Sequence, residues 1–152
     1  MAQLFSLGEM SRPEKNNSMK TWLKLIGSAK QPITAGWSEN YIGFRKKNRP
    51  SIQIGDRLFL YAPGRPRLIF ALAEAVGEPK HDPNYDSNKE GSCWWTLPVS
   101  YLIPGSTDTG VSLEDIRCER DLRLSVRQAS HVELRPEESQ LAYRKLKEKQ
   151  NA

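Results

Sequence analysis

The residues of this chain best suited to chemistry are aromatic and cationic rather than nucleophilic. Six rings are spread over the first two thirds: Trp22, Trp37, Tyr41, Tyr61, Trp94 and Trp95. A flat aromatic face can stack on a nucleobase for about 1–3 kcal/mol. Trp37 is the sharpest candidate. It follows Gly36 in a loop, ahead of a residue suited to cap a helix, where an indole gains little from packing alone. Trp22 alternates within a strand-like run and suits either a core or a cleft wall. Of Trp94 and Trp95, adjacent in a strand, one is expected in the core and the other toward a cleft. Asn40, three residues after Trp37, offers an amide with both donor and acceptor, which matches the pairing edge of a base. The run Arg123-Leu124-Ser125-Val126-Arg127-Gln128 is a second polar cluster that suits phosphate or base contacts.

Charge is concentrated close to these rings. The chain carries a formal +5 with a pI near 9.3. Between Arg45 and Arg67 stand seven basic residues and a single acid, Asp56. That one segment therefore outweighs the rest of the chain, and a local excess of this kind steers polyanions. Arg45, Lys46, Lys47, Arg49, Arg65 and Arg67 are the candidate phosphate ligands.

Other chemistries find little support. There is no GxSxG, no phosphate-cradling glycine loop and no metal-ligand spacing. Cys93 and Cys118 form no CxxC pair and read as reduced, buried thiols; two histidines, His81 and His131, are too few to suggest zinc. Nothing in the sequence brings Cys93 to His131 as a nucleophile–base pair. No catalytic residue, metal or cofactor is expected.

A chain of 152 residues with 38% hydrophobic content fits one domain with a real core. Its mean hydropathy is −0.65, and its longest apolar stretch, Leu68–Val76, is broken by Glu74. That is too short to span a bilayer. No signal peptide is evident, so a cytoplasmic, monomeric protein is expected. Residues 1–18 read as a loose polar arm and residues 19–150 as the domain.

The first strand is expected over Lys20–Ile26. Ser38 then caps a short helix through Lys46. Gly55-Asp56 turns into a strand over Arg57–Ala62. Pro63-Gly64 with Pro66 forms a tight turn into Arg67–Val76, the second arm of a hairpin. Glu78–Gly91 is a polar loop. Cys93–Leu102 is a strand in which Pro98 implies an edge or a bulge. Ser112-Leu113-Glu114-Asp115 resembles a capping box that opens one helical turn. Leu122–Val126 reads as a short strand. Pro136 opens a last helix with Glu137 and Glu138 in its first turn, and Leu141, Ala142 and Leu146 as its apolar stripe. Short strands with few helices indicate an α+β fold built on a small barrel or curled sheet.

In order, the chain shows a Trp-Leu first strand (Trp22, Leu23), a Trp loop running into Asn-Tyr (Trp37, Asn40, Tyr41), and Gly-Asp before a strand ending in Tyr61. An acidic-Pro loop, a Trp-containing strand, Arg-Leu-Ser-Val (Arg123–Val126) and a Pro-Glu-Glu helix start follow. This ordered set resembles an EVE domain, a member of the PUA-like superfamily related to YTH domains, over about Met19–Lys149. The resemblance implies a small PUA-like β-barrel of five or six strands with short flanking helices. It also implies an aromatic pocket that accepts a flipped, often methylated, base of DNA or RNA. On that likeness the pocket takes Trp22, Trp37, Asn40, Tyr41, Tyr61 and Ser125, with Arg127 and Gln128 beside it. The chain departs from the family pattern in reading Lys24-Leu25-Ile26-Gly27-Ser28 where many members have Lys-Ser-Glu-Pro. It also has Ser139 where an aromatic is common. The function expected is a non-enzymatic reader of a modified base in DNA or RNA. The alternatives are a protein-interaction module, or a small amidohydrolase of the related ASCH type that uses Lys24 with Glu74.

Overall fold

The computed structural model describes residues 19–27, 39–63, 67–86, 88–89, 92–105, 109–126 and 131–150. The expected arm at residues 1–18 lies outside them, as do Gly64 and Pro66 of the expected turn. Among the described residues seven strands form one mixed sheet: β1 Thr21–Leu25, β2 Tyr41–Phe44, β3 Arg57–Tyr61, β4 Ile69–Ala75, β5 Lys80–His81, β6 Trp95–Ile103 and β7 His131–Glu133. A single turn of 3₁₀-helix at Glu114–Ile116 and a one-turn helix α1, Leu122–Ser125, precede β7; helix α2, Pro136–Gln150, follows it. The strand order is β2-β6-β4-β3-β1-β7, with the two-residue β5 also paired to β6. β1 and β3 are parallel and the other pairs antiparallel.

Both faces of the central strands are covered, which is why β3 and β4 read as nearly continuous apolar runs. The inner face carries Trp22, Ile42, Phe44, Leu58, Leu60, Phe70 and Leu97. The outer face carries Leu23, Phe59, Tyr61 and Leu72, packed under Leu134, Ala142 and Leu146 of the C-terminal segment. Register shifts at Leu60/Tyr61 and at Leu72/Ala73 help the sheet to bend. It curls far enough that Phe44 of β2 and His131 of β7, at opposite ends of the strand order, meet edge-on with ring centroids 5.2 Å apart. The result is a half-barrel whose open side is bridged by side chains.

Three expectations need correction. The segment entering Lys46 is not helical, because Tyr41–Phe44 is strand β2. Ile42 and Phe44 alternate inward, and Gly43 leaves room for Cys93, whose Sγ a Cβ at that position would strike. Leu122–Ser125 is helix rather than strand, because the Asp121 carboxylate accepts the Arg123 N–H at 3.0 Å and caps the turn. Pro98 sits in an interior strand, not at an edge. Its carbonyl accepts from Val76 just where β4 has ended, so its missing N–H costs no ladder bond to that strand.

Other expectations hold. Ser112 Oγ accepts the Asp115 N–H at 3.1 Å and opens the 3₁₀ turn, and Pro136 begins α2. Glu138 does more than favour the helix dipole. It is fully buried, takes both Nε and Nη2 of Arg120 at 2.8 Å, and accepts the Arg135 N–H at 2.8 Å. Arg120 also donates to the Glu133 carbonyl at 2.7 Å, so one ion pair pins α2, β7 and the preceding turn together.

At the other end of β1, Asp56 is 1% exposed and accepts three N–H groups at 3.0 Å: those of Lys20, Gln53 and the Trp22 indole. Removing the carboxylate orphans three donors. Each orphaned donor costs about 1–3 kcal/mol. Asp56→Ala is therefore expected to lower the free energy of unfolding by at least about 3 kcal/mol. Asp56→Asn, which keeps one acceptor, should lose less. Urea titration followed by tryptophan emission reads both, and a loss below about 1 kcal/mol for Asp56→Ala would refute this role.

Candidate functional site at the closure seam

The side chains that bridge β2 and β7 form the chemically unusual part of the molecule. Trp22, Lys24 and Ile26 alternate inward along β1 and its exit. Lys24 is only 5% exposed. Its Nζ donates to the Leu25 carbonyl at 2.9 Å and lies 4.7 Å from the centroid of the Phe44 ring. His131 is its register partner across the β1–β7 pair, and the His131 ring stands 5.4 Å from that of Trp22. Among the described residues no carboxylate forms an ion pair with Lys24.

The electrostatics follow from that arrangement. Burial lowers the Lys24 pKa from 10.5 to about 8, with the Cys93 thiol opposing the shift. Burial, then Lys46, then Lys24 lower that of His131 to about 4, so its imidazole is neutral at pH 7. Burial raises the Cys93 thiol, against the pull of Lys24 and Arg45. Lys24, His131, Cys93, Arg45 and Lys46 thus feel one another. Arg45, Lys46 and Lys47 are exposed, leave the end of β2, and form no ion pair among the described residues. The Lys47 carbonyl accepts the Trp95 indole N–H at 3.1 Å, which fixes the basic stretch against the aromatic strand. Trp95 packs on the inner core, while Trp94 stacks on Tyr85 with centroids 4.0 Å apart.

The expected pocket residues do not all converge. Trp22 is a core side chain, 6% exposed, with its indole N–H given to Asp56 rather than offered to a ligand. Tyr61 lies on the outer face, so the sheet separates it from Trp22. Asn40 is exposed and its carbonyl accepts the Val99 N–H; Tyr41 is 56% exposed. Arg49 is held by Glu78 at 2.8 Å. Arg67, at φ 65°, joins Tyr61, Leu25, Arg123, Leu124 and Val126 around an outer cleft of about 620 Å³, beside the helix that carries Ser125. Trp37, Arg65, Arg127 and Gln128 lie outside the described residues. Lys24 and Glu74 do not meet. Glu74 is the strand-register partner of Arg57 on the outer face, whereas Lys24 points inward. Cys118 is exposed, not buried, and neither cysteine forms a disulfide.

The sequence names Lys24 only as a partner for Glu74 and His131 only as a partner for Cys93, and joins neither to Phe44. A usable signal existed: a lysine stands at the middle of the inward alternation Trp22, Lys24, Ile26, where a hydrocarbon is the ordinary choice.

Three solved structures share this architecture. The Agrobacterium tumefaciens protein Atu2648 is 16% identical, with a TM-score of 0.54 over 82% of this chain and 92% of that one. A hypothetical protein from Leishmania major is 19% identical, with a TM-score of 0.55 over 87% and 97%. Rpa0253 of Rhodopseudomonas palustris is 17% identical, with a TM-score of 0.54 over 82% and 90%. These likenesses establish the fold. No family model and no curated protein matches the chain. Among the described residues no cluster of ligating side chains could hold a metal ion, and no helix is long and apolar enough to cross a membrane.

A buried ammonium without a carboxylate is a burden on the fold. The shift of Lys24 corresponds to a penalty on the order of 3 kcal/mol for the charged form. The apolar substitution Lys24→Met is therefore expected to raise the thermal midpoint at pH 7. The pH dependence has a definite sign. Between about 8 and 10.5 the unfolded chain binds the Lys24 proton more than the folded one does, so wild-type stability rises with pH across that window. Calorimetry over that range should show this rise in the wild type and its absence in Lys24→Met. A variant with a lowered midpoint would show that the lysine stabilises the seam instead.

Proposed function

We propose that this protein is a non-enzymatic nucleic-acid-binding module of the PUA-like, EVE type. In this reading it holds a strand of DNA or RNA by its phosphates and takes one base, carrying a modification, at the seam. The observation that carries the reading is the junction of two features. The exposed cations Arg45, Lys46 and Lys47 lead directly from a strand whose last residue, Phe44, faces Lys24 and His131.

The physical division of labour is simple. Surface cations release counterions from the backbone and supply sequence-independent affinity. Rings offer stacking to a base. Extruding a base costs a few kcal/mol, which stacking and edge hydrogen bonds can offset. The likeness of Trp37, Asn40, Gly55-Asp56 and Pro136-Glu137-Glu138 to the EVE pattern supports the same assignment. Trp37 is then the first candidate for the stacking ring.

Charge reversal tests the phosphate role. Lys46→Glu with Lys47→Glu should weaken binding to all sequences alike. It should also reduce the slope of log affinity against log salt by about 1.4–1.8, the value for two lost phosphate contacts. Fluorescence anisotropy with plain and methylated oligonucleotides at several salt concentrations measures both. Trp37→Ala in the same assay should abolish the preference for the modified strand and leave the salt slope in place. An unaltered slope in the double variant would rule out this surface as the phosphate site.

A further inference from the structure

The seam holds an amine where packing alone calls for a hydrocarbon. Lys24 lies over the ring of Phe44, which His131 meets edge-on, and among the described residues its Nζ donates to the adjacent Leu25 carbonyl. The titratable and charged groups that act on it or on its immediate neighbours are His131 on β7, Cys93 ahead of β6, and Arg45 and Lys46 beyond β2, with Asp82 acting on Cys93. Burial disfavours the charged form of the Lys24 amine, with Cys93 opposing, while Lys46 acts on His131 and Arg45 on Cys93. A lysine desolvated by burial is a usual form of an amine that attacks carbonyl carbon. Cys93 is a poorer rival, since burial holds it as the thiol.

Resting on the reading that this seam receives a nucleotide, we propose that Lys24 captures an aldehyde carried on a nucleic-acid strand as a reversible imine. The Lys24 nitrogen adds its lone pair to the aldehyde carbon. Two protons pass in turn from nitrogen to the former carbonyl oxygen, which leaves as water, and a C=N bond forms. Addition of water reverses each step, and no oxidant or reductant takes part. His131 is the register partner of Lys24 across the strand pair. The basic stretch from Arg45 to Lys47 holds the flanking phosphates. Two sources present the same group: a formylated pyrimidine and a ring-opened abasic sugar. The aromatic walls favour the first.

The full chain is incubated separately with oligonucleotides that carry formylcytosine, an abasic site or plain cytosine, and any imine is fixed with cyanoborohydride. Peptide mapping should place a reduced adduct at Lys24 with the aldehyde strands and none with plain cytosine; a larger yield with formylcytosine would identify the base as the source, and a larger yield with the abasic strand the sugar. Lys24→Arg should lose the adduct while keeping the wild-type circular dichroism spectrum. Lys24→Met serves the same purpose if the bulkier arginine perturbs the circular dichroism spectrum. Adducts scattered over Lys46 and Lys47 and indifferent to Lys24 substitution would overturn the proposal, as would the absence of any adduct when plain-strand affinity is intact. A chain that binds no strand at all would overturn the nucleic-acid reading and this proposal with it.

Discussion

A single buried carboxylate sets the geometry on which the rest of the molecule depends. Among the described residues Asp56 has no cationic side chain at ion-pair distance. Its charge is held by three N–H dipoles from Lys20, Gln53 and the indole of Trp22. Those donors come from the entry to β1, from the turn before β3 and from the inner core. Gly55, at φ 94°, makes the turn possible, and its N–H joins the Ala75 carbonyl at 2.9 Å. The backbone of Arg57 then donates to Lys20 at 3.0 Å, and the parallel pairing of β1 with β3 begins in a fixed register. Register matters because a slip of one residue along β1 would exchange the faces of every side chain on it. Leu23 would turn inward, and Trp22 and Lys24 would turn out toward α2.

From that register the seam follows. Lys24 and His131 become partners on the inner face, and β7 comes close to β2 by way of Phe44. Closure here relies on rings and a cation rather than on a continuous ladder. Ring–ring and cation–ring contacts each contribute about 0.5–2 kcal/mol. A ladder would satisfy the backbone and seal the barrel. A closure made by side chains leaves polar chemistry at the join, and the close approach of Gly43 to Cys93 draws β2 against the start of β6 beside it.

Much of this fold was legible in the residues, and the failures have physical causes. The β3–β4 hairpin announced itself through turn residues and long apolar runs, and Pro136 with two acids marked the start of α2. β2 was hidden because four residues carry too little periodicity to separate strand from helix. α1 was misread because Leu-Arg-Leu-Ser-Val alternates like a strand, while the deciding group, the Asp121 carboxylate, stands one residue ahead of it. The candidate site was legible in its cations and only partly in its rings. Arg45, Lys46 and Lys47 are exposed as expected. Trp22 and Tyr61 were grouped by residue type, but which face a strand residue occupies depends on pairings made across the sheet. Those pairings put the two rings on opposite faces.

Of the three charged side chains buried among the described residues, Glu138 and Lys24 obey different rules, and the contrast bears on function. Glu138 is fully enclosed, yet Arg120 meets it with two parallel hydrogen bonds and the Arg135 N–H supplies a third. Burial alone would raise its pKa, but those partners hold it below the ordinary value. Its ion pair therefore contributes to stability above the ordinary glutamate range and fades as acid protonates it. Lys24 has the reverse sign, since its surroundings disfavour the charge it carries and the fold would be firmer without it. A fold explains Glu138, because α2 and β7 are joined through it. It does not explain Lys24, whose neighbours include no carboxylate partner among the described residues. What distinguishes Lys24 is its position, an amine held between a neutral imidazole and an aromatic ring, next to exposed cations. That is an arrangement suited to a ligand that brings its own oxygen atoms.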